Sequence, residues 1–146
     1  MTTQQIKAIV RDLSDRFGTA SAEKLCEEMN VTVVKQDLPE RINGFTVRME
    51  GLPFIVLRNG LEDSLRKFVL SHELGHIVLH DCTNTLNLSA NTRFCVNKFE
   101  READLFAACL LIEEEMDALA EYDTVTAEDA ARMSHIPPGK MPEDLS

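Results

Sequence analysis

His72-Glu73-Leu74-Gly75-His76 sets two imidazoles four residues apart with a carboxyl beside the first. On a helix of about 3.6 residues per turn, positions four apart stack on one face, so both rings can aim nitrogens at a single metal ion. Glu73 then lies beside the pair rather than within it. Its carboxylate is placed to act as general base toward an attacking water, while a bound metal polarises the scissile carbonyl and makes water more acidic. This is the chemistry of a zinc hydrolase, with His72 and His76 as ligands and Glu73 as the catalytic base. A catalytic zinc takes three protein ligands and keeps a fourth position open, so two histidines leave the set one short.

Four residues compete for the third place. Cys82 follows His72 by ten residues, where the pattern HExxHxxGxxH has its last histidine, but Leu79 occupies the position that needs a chain-reversing glycine. His80 continues the row of histidines, yet three in a straight helical row spread over about 12 Å and cannot all reach one ion. It is read as an active-site neighbour, supporting a ligand, facing substrate or simply ending the helix. Glu100 and Glu102 lie in Phe99-Glu100-Arg101-Glu102-Ala103-Asp104, on a predicted helix whose Ala103, Ala107 and Ala108 permit another helix to come close. Glu100 and Asp104 share a face, so Glu100 can bind the metal while Asp104 accepts a hydrogen bond from a ligand histidine. Glu102 stands about 200° around the helix from Glu100 and is expected to miss the metal. Glu100 is therefore the favoured ligand.

The elements that must carry these residues follow from periodicity. Ile6, Ile9, Val10, Leu13 and Phe17 recur at helical spacing behind Thr2 or Thr3 as cap, and a short helix follows Ser21 with Leu25, Cys26 and Met29 inward and Asn30 to end it. Val31 and Val33, then Phe45, Val47 and Met49, alternate with polar residues as half-buried strands do. Glu50-Gly51 breaks the second run before the apolar stretch Phe54 to Leu57, which predicts a hairpin over 44–58. Residues 62–80 read as the helix bearing the histidines. Gly75 in its middle costs about 1 kcal/mol relative to alanine, which implies that a backbone or a ligand comes close there. Residues 83–97 read as a loop at the rim of the cleft, and Phe99 to Leu111 as a further helix. Thr126 with Asp129 begins another short helix, and the Pro-rich 137–146 is expected to be loosely ordered. The fold class is α+β, mainly helical, with a small antiparallel sheet of about three strands ahead of the histidine helix, in a single domain over 1–146.

Composition narrows the setting. A net charge of −10 repels phosphate, which argues against direct binding to nucleic acid or an anionic membrane and modestly favours a basic protein substrate. Lys7, Arg11, Asp12, Asp15 and Arg16 interrupt the first helix, so it lacks the apolar run of a signal peptide, and no window predicts a membrane span. Cys26, Cys82, Cys95 and Cys109 show no CxxC spacing and read as reduced thiols in a cytoplasmic protein. His135 and the run Glu113-Glu114-Glu115 read as solvated surface.

Three blocks together, Ile55-Val56-Leu57-Arg58-Asn59, Arg66 through His80, and Glu100 through Leu111, make the chain resemble the ImmA/IrrE family of bacterial metallopeptidases of mobile elements, phages and stress-response loci. The likeness covers most of the chain. It implies a zincin-like fold in which His72, His76 and Glu100 hold one zinc ion and Glu73 is the base. It also implies a substrate type, a helix-turn-helix repressor whose cleavage or inactivation releases genes of the element or a stress regulon. Asp104 stands where members often have asparagine, which keeps an acceptor, and Ile112-Glu113 stands where they often have Met-Pro, which alters the exit of that helix. Two functional classes follow: an endopeptidase of narrow specificity, or a zinc-containing module that sequesters a repressor or toxin uncut. Peptide deformylase also uses HExxH with an upstream cysteine ligand, but Cys26 sits in an amphipathic helix pattern unlike that enzyme's segment.

Overall fold

A computed structural model describes residues 1–80 and 93–119 of the chain. Expectations for Cys82, residues 83–92, the short helix at Thr126, His135 and the tail 137–146 lie outside the described residues. Helix α1 (Thr3–Phe17) begins in a capping box, in which the Thr2 hydroxyl accepts from the Gln5 N–H and the Gln5 side chain accepts from the Thr2 N–H. Its apolar stripe, Ile6, Val10 and Leu13, is buried. Helix α2 (Ala22–Glu28) is capped by the Ser21 hydroxyl and buries Ala22, Leu25 and Cys26. Asn30, just past it, takes a positive φ of 58°, a conformation that asparagine tolerates better than most residues.

Three strands follow, β1 (Thr32–Gln36), β2 (Gly44–Met49) and β3 (Leu52–Arg58), in the spatial order β1-β3-β2. The hairpin falls where the sequence predicts it: Met49 pairs with Leu52, and Glu50 and Gly51 both take positive φ (54° and 81°), as a two-residue hairpin turn requires. The sheet is mixed rather than antiparallel, because β1 runs parallel to β3, with Thr32 opposite Phe54 and Gln36 opposite Arg58. Alternation identifies a strand but not the direction of its partner. The stronger clue is the continuous run in β3, whose Ile55, Val56 and Leu57 are buried as befits a central strand flanked on both sides. The expected half-buried apolar face of β2 is also corrected: Phe45 and Met49 are exposed, at 41% and 55%.

Helix α3 (Asp63–Leu79) carries the histidine motif, and α4 (Arg93–Ala118) carries Glu100 to Asp104. Helix α4 starts within the predicted loop 83–97. Arg93 to Lys98 contains no glycine or proline, so helix propagates backward from the strong apolar pattern that follows. The core gathers α1, α2, β3, α3 and α4 around Ile6, Leu25, Ile55, Leu74, Phe106 and Leu110, all fully buried. Among the described residues, no helix is long and apolar enough to cross a membrane.

Candidate metal and catalytic site

Helices α3 and α4 meet through small residues. Ala103, Ala107 and Ala108 are fully buried on α4, and Gly75 on α3 faces the Phe106 ring. A Cβ placed on Gly75 would lie 3.0–3.1 Å from atoms of Phe106, so the missing methyl is what lets the ring seat there. The close neighbour is thus a phenyl side chain, where the sequence suggested a backbone or a ligand. Gly75 sits directly before His76, so this contact sets the spacing between the two helices at the level of the motif.

That spacing brings Glu100 to both histidines. Its Oε2 lies 3.0 Å from His72 Nε2 and its Oε1 lies 3.1 Å from His76 Nε2. The ligand atoms of His72, His76 and Glu100 all fall within 4.8 Å of one another. On the far side of the first ring, His72 Nδ1 lies 2.8 Å from Asp104 Oδ1. A carboxylate can only accept, so the Nδ1 proton of His72 is held there and Nε2 is turned toward the shared point. Two imidazole nitrogens and one carboxylate, converging with an open side, form the donor set that a divalent zinc ion takes in a catalytic site. The residues present fit such an ion.

Electrostatics agree with that geometry. Hydrogen bonds from His72 and His76 outweigh burial and hold the Glu100 carboxyl far below the usual carboxylate range. Burial alone would depress His72, but hydrogen bonds to Asp104 and Glu100 and the nearby Glu73 charge raise it to about 9. The metal-free site therefore draws in a proton where a cation is wanted, and a metal would displace that proton. Glu73 is buried beside the cluster, and burial raises its carboxyl above the ordinary value although His72 and His76 pull the other way. A carboxyl that burial raises above its ordinary value holds a proton more readily than a free glutamate does, which suits a group that takes up and hands on protons.

His80 is not among the converging ligand atoms. Its Nδ1 lies 3.1 Å from His76 Nδ1, and its Nε2 lies 2.9 Å from Glu102 Oε1. Glu102 misses the converging atoms, as its helical angle predicts, but it is not a bystander. It is buried, and its second oxygen accepts from the Met1 amino group at 2.6 Å. Burial would raise its carboxyl, but the Met1 amino group and His80 hold it below the ordinary value. The sequence reading gave Glu102 no role. The available signal was His80, since a histidine one turn beyond two candidate ligands needs a polar partner once the helix end is buried.

The fold and this constellation define a small α+β metallopeptidase domain with its polar cluster divided between two helices. Residues 26–135 match the IrrE N-terminal-like domain that characterises M78 peptidases. The chain is 34% identical over 132 residues to an uncharacterized immunity region protein 2 of Bacillus phage phi105, covering 90% of this chain and 84% of the relative. It is 26% identical over 138 residues to the metallopeptidase ImmA of Bacillus subtilis strain 168, covering 93% and 81%. The chain belongs to the ImmA/IrrE family of metallopeptidases.

Proposed function

We propose that this protein is a zinc-dependent endopeptidase of narrow specificity, in which His72, His76 and Glu100 hold the ion, Glu73 is the general base and Asp104 orients His72. The observation that carries this reading is the bidentate reach of Glu100, one oxygen toward each histidine Nε2 at 3.0 and 3.1 Å, with Glu73 buried alongside. When bound, zinc would supply Lewis acidity, polarising the scissile carbonyl and making the attacking water easier to deprotonate. Glu73 takes the proton of that water and passes it to the departing amine. Asp104 keeps the His72 ring oriented throughout.

The proposed substrate is a helix-turn-helix repressor, met in the cytoplasm. The phage relative is an immunity region protein, which supports a regulatory target, and a net charge of −10 suits a basic DNA-binding partner better than DNA itself. Co-expression with a helix-turn-helix repressor encoded beside its gene tests the reading. Parent enzyme is expected to shorten the repressor and carry about one zinc per chain, lost in Glu100→Ala and held more weakly, but not lost, in Glu102→Ala. A repressor that co-purifies at full length, with zinc present, would instead make the protein a sequestering module.

A further inference from the structure

We propose that His80 and Glu102 form a positioning pair that fixes how His76 presents itself to the metal. This rests on the zinc reading above. The hydrogen-bond chain dictates its own direction. The Glu102 carboxylate, 2.9 Å from His80 Nε2, can only accept, so that nitrogen carries a proton. Neutral His80 then has a lone pair on Nδ1, facing His76 Nδ1 at 3.1 Å. Two nitrogens at that separation share one proton, and it must come from His76. His76 is thereby held with Nδ1–H toward His80, which leaves Nε2, 3.1 Å from Glu100 Oε1, as the nitrogen that would give up its proton and offer its lone pair to a bound ion.

The arrangement parallels the one at His72, where Asp104 performs the same task directly. On the Nδ1 side of His76 the acid that α4 supplies, Glu102, lies one ring farther away, and His80 spans the gap. The pair is built to be rigid. His80 and Glu102 are 8% and 7% exposed, and the Phe99 ring lies against His80 with centroids 4.3 Å apart and planes inclined by 33°. A histidine that merely ended the helix would have no reason to be enclosed between an aromatic ring, a ligand histidine and a buried acid.

The test is zinc affinity by chelator competition, with the visible spectrum of the cobalt-substituted protein as a second readout. Parent, His80→Leu, His80→Gln, Glu102→Gln and Glu100→Ala are compared, and far-UV circular dichroism of each metal-free protein reports folding. His80→Leu is expected to weaken zinc binding about tenfold or more and to alter the cobalt spectrum. His80→Gln should recover most of the loss, since its amide can accept from His76 and donate to Glu102. Glu102→Gln keeps shape and removes charge, and should show a smaller loss in the same direction. Should His80→Leu fail to fold, Glu102→Gln and His80→Gln decide the matter: a loss in Glu102→Gln beside near-parental His80→Gln supports the pair, and an unchanged Glu102→Gln overturns it. Parental affinity and spectrum in His80→Leu, with metal lost in Glu100→Ala, overturn the pair and leave the zinc site standing. A folded His80→Gln as weak as His80→Leu also overturns it, because the hydrogen bonds would then not be what matters. A parent that binds no zinc overturns both readings together.

Discussion

Glu73 and Ser71 are near neighbours on α3, both buried, and they make opposite predictions. Replacing Glu73 by glutamine removes the proposed base but none of the proposed ligands, so metal content should stay at the parental level. Cleavage of a repressor should fall by about 10²–10⁴-fold, the usual worth of a positioned general base. Metal analysis beside a single-turnover cleavage assay checks both halves, and parental cleavage by Glu73→Gln would remove Glu73 from its role. Ser71 is fully buried, and among the described residues its Oγ has no hydrogen-bond partner. An unsatisfied buried hydroxyl costs about 1 kcal/mol or more, and alanine is also the better helix former. Ser71→Ala should therefore raise stability by roughly 1 kcal/mol in urea unfolding, whereas a loss would mean that the hydroxyl is bonded after all. That His72, His76, Glu100 and Asp104 come together is legible from residue types and helical angles alone. Glu102 was not, because helical angle says which face a side chain occupies and nothing about which other element comes to meet it.

Between elements, the α3–α4 contact decides whether the site exists. Gly75→Ala gains about 1 kcal/mol of helix propensity, yet its methyl would meet a fully buried Phe106 ring at 3.0–3.1 Å. Overpacking a ring that has no room to retreat costs about 1–3 kcal/mol, so the net change should be destabilising and the helices should move apart. Weaker zinc binding should accompany the lost stability, because Glu100 rides on the helix that is displaced. Pairing Gly75→Ala with Phe106→Leu separates the two effects. The double variant should be more stable than the sum of the single changes implies, since leucine vacates the space that the methyl enters. Additive losses would show that the contact does not govern the spacing. Helix existence, the Thr2 and Ser21 caps and the Glu50-Gly51 turn were all readable, because each is a local rule with a local cause. The parallel pairing of β1 with β3 and the backward extension of α4 to Arg93 were not, since both depend on what packs beside the segment.

For the molecule as a whole, these same groups should shape how stability responds to pH. His72 is raised from 6.5 to about 9 in the folded metal-free protein, so its contribution is fully present below 6.5 and is lost as pH rises through 9. His80 is lowered by burial, so folding prefers its neutral form and stability drains away as pH falls below 6.5. Glu100, Glu23 and Glu102 are lowered from 4.5, so their contributions are present above 4.5 and vanish as pH falls through their folded values. Burial raises Glu73, Glu113 and Glu114, which take up protons earlier in the folded state and so oppose the acid-side loss. Farther up, the Cys26 thiol is pushed from 9.0 to about 12 by burial, so folding is opposed increasingly above pH 9. Urea unfolding in the presence of a chelator should thus give greatest stability near pH 6.5, with a decline toward pH 9 that His72→Gln flattens. Saturating zinc should abolish that decline, because coordination at Nε2 takes the place of the proton that His72 otherwise loses. A decline that persists unchanged with zinc bound would mean that the ion does not sit on His72. The rest of the ligand set could then not be held as proposed, since His72, Glu100 and His76 share one convergent point.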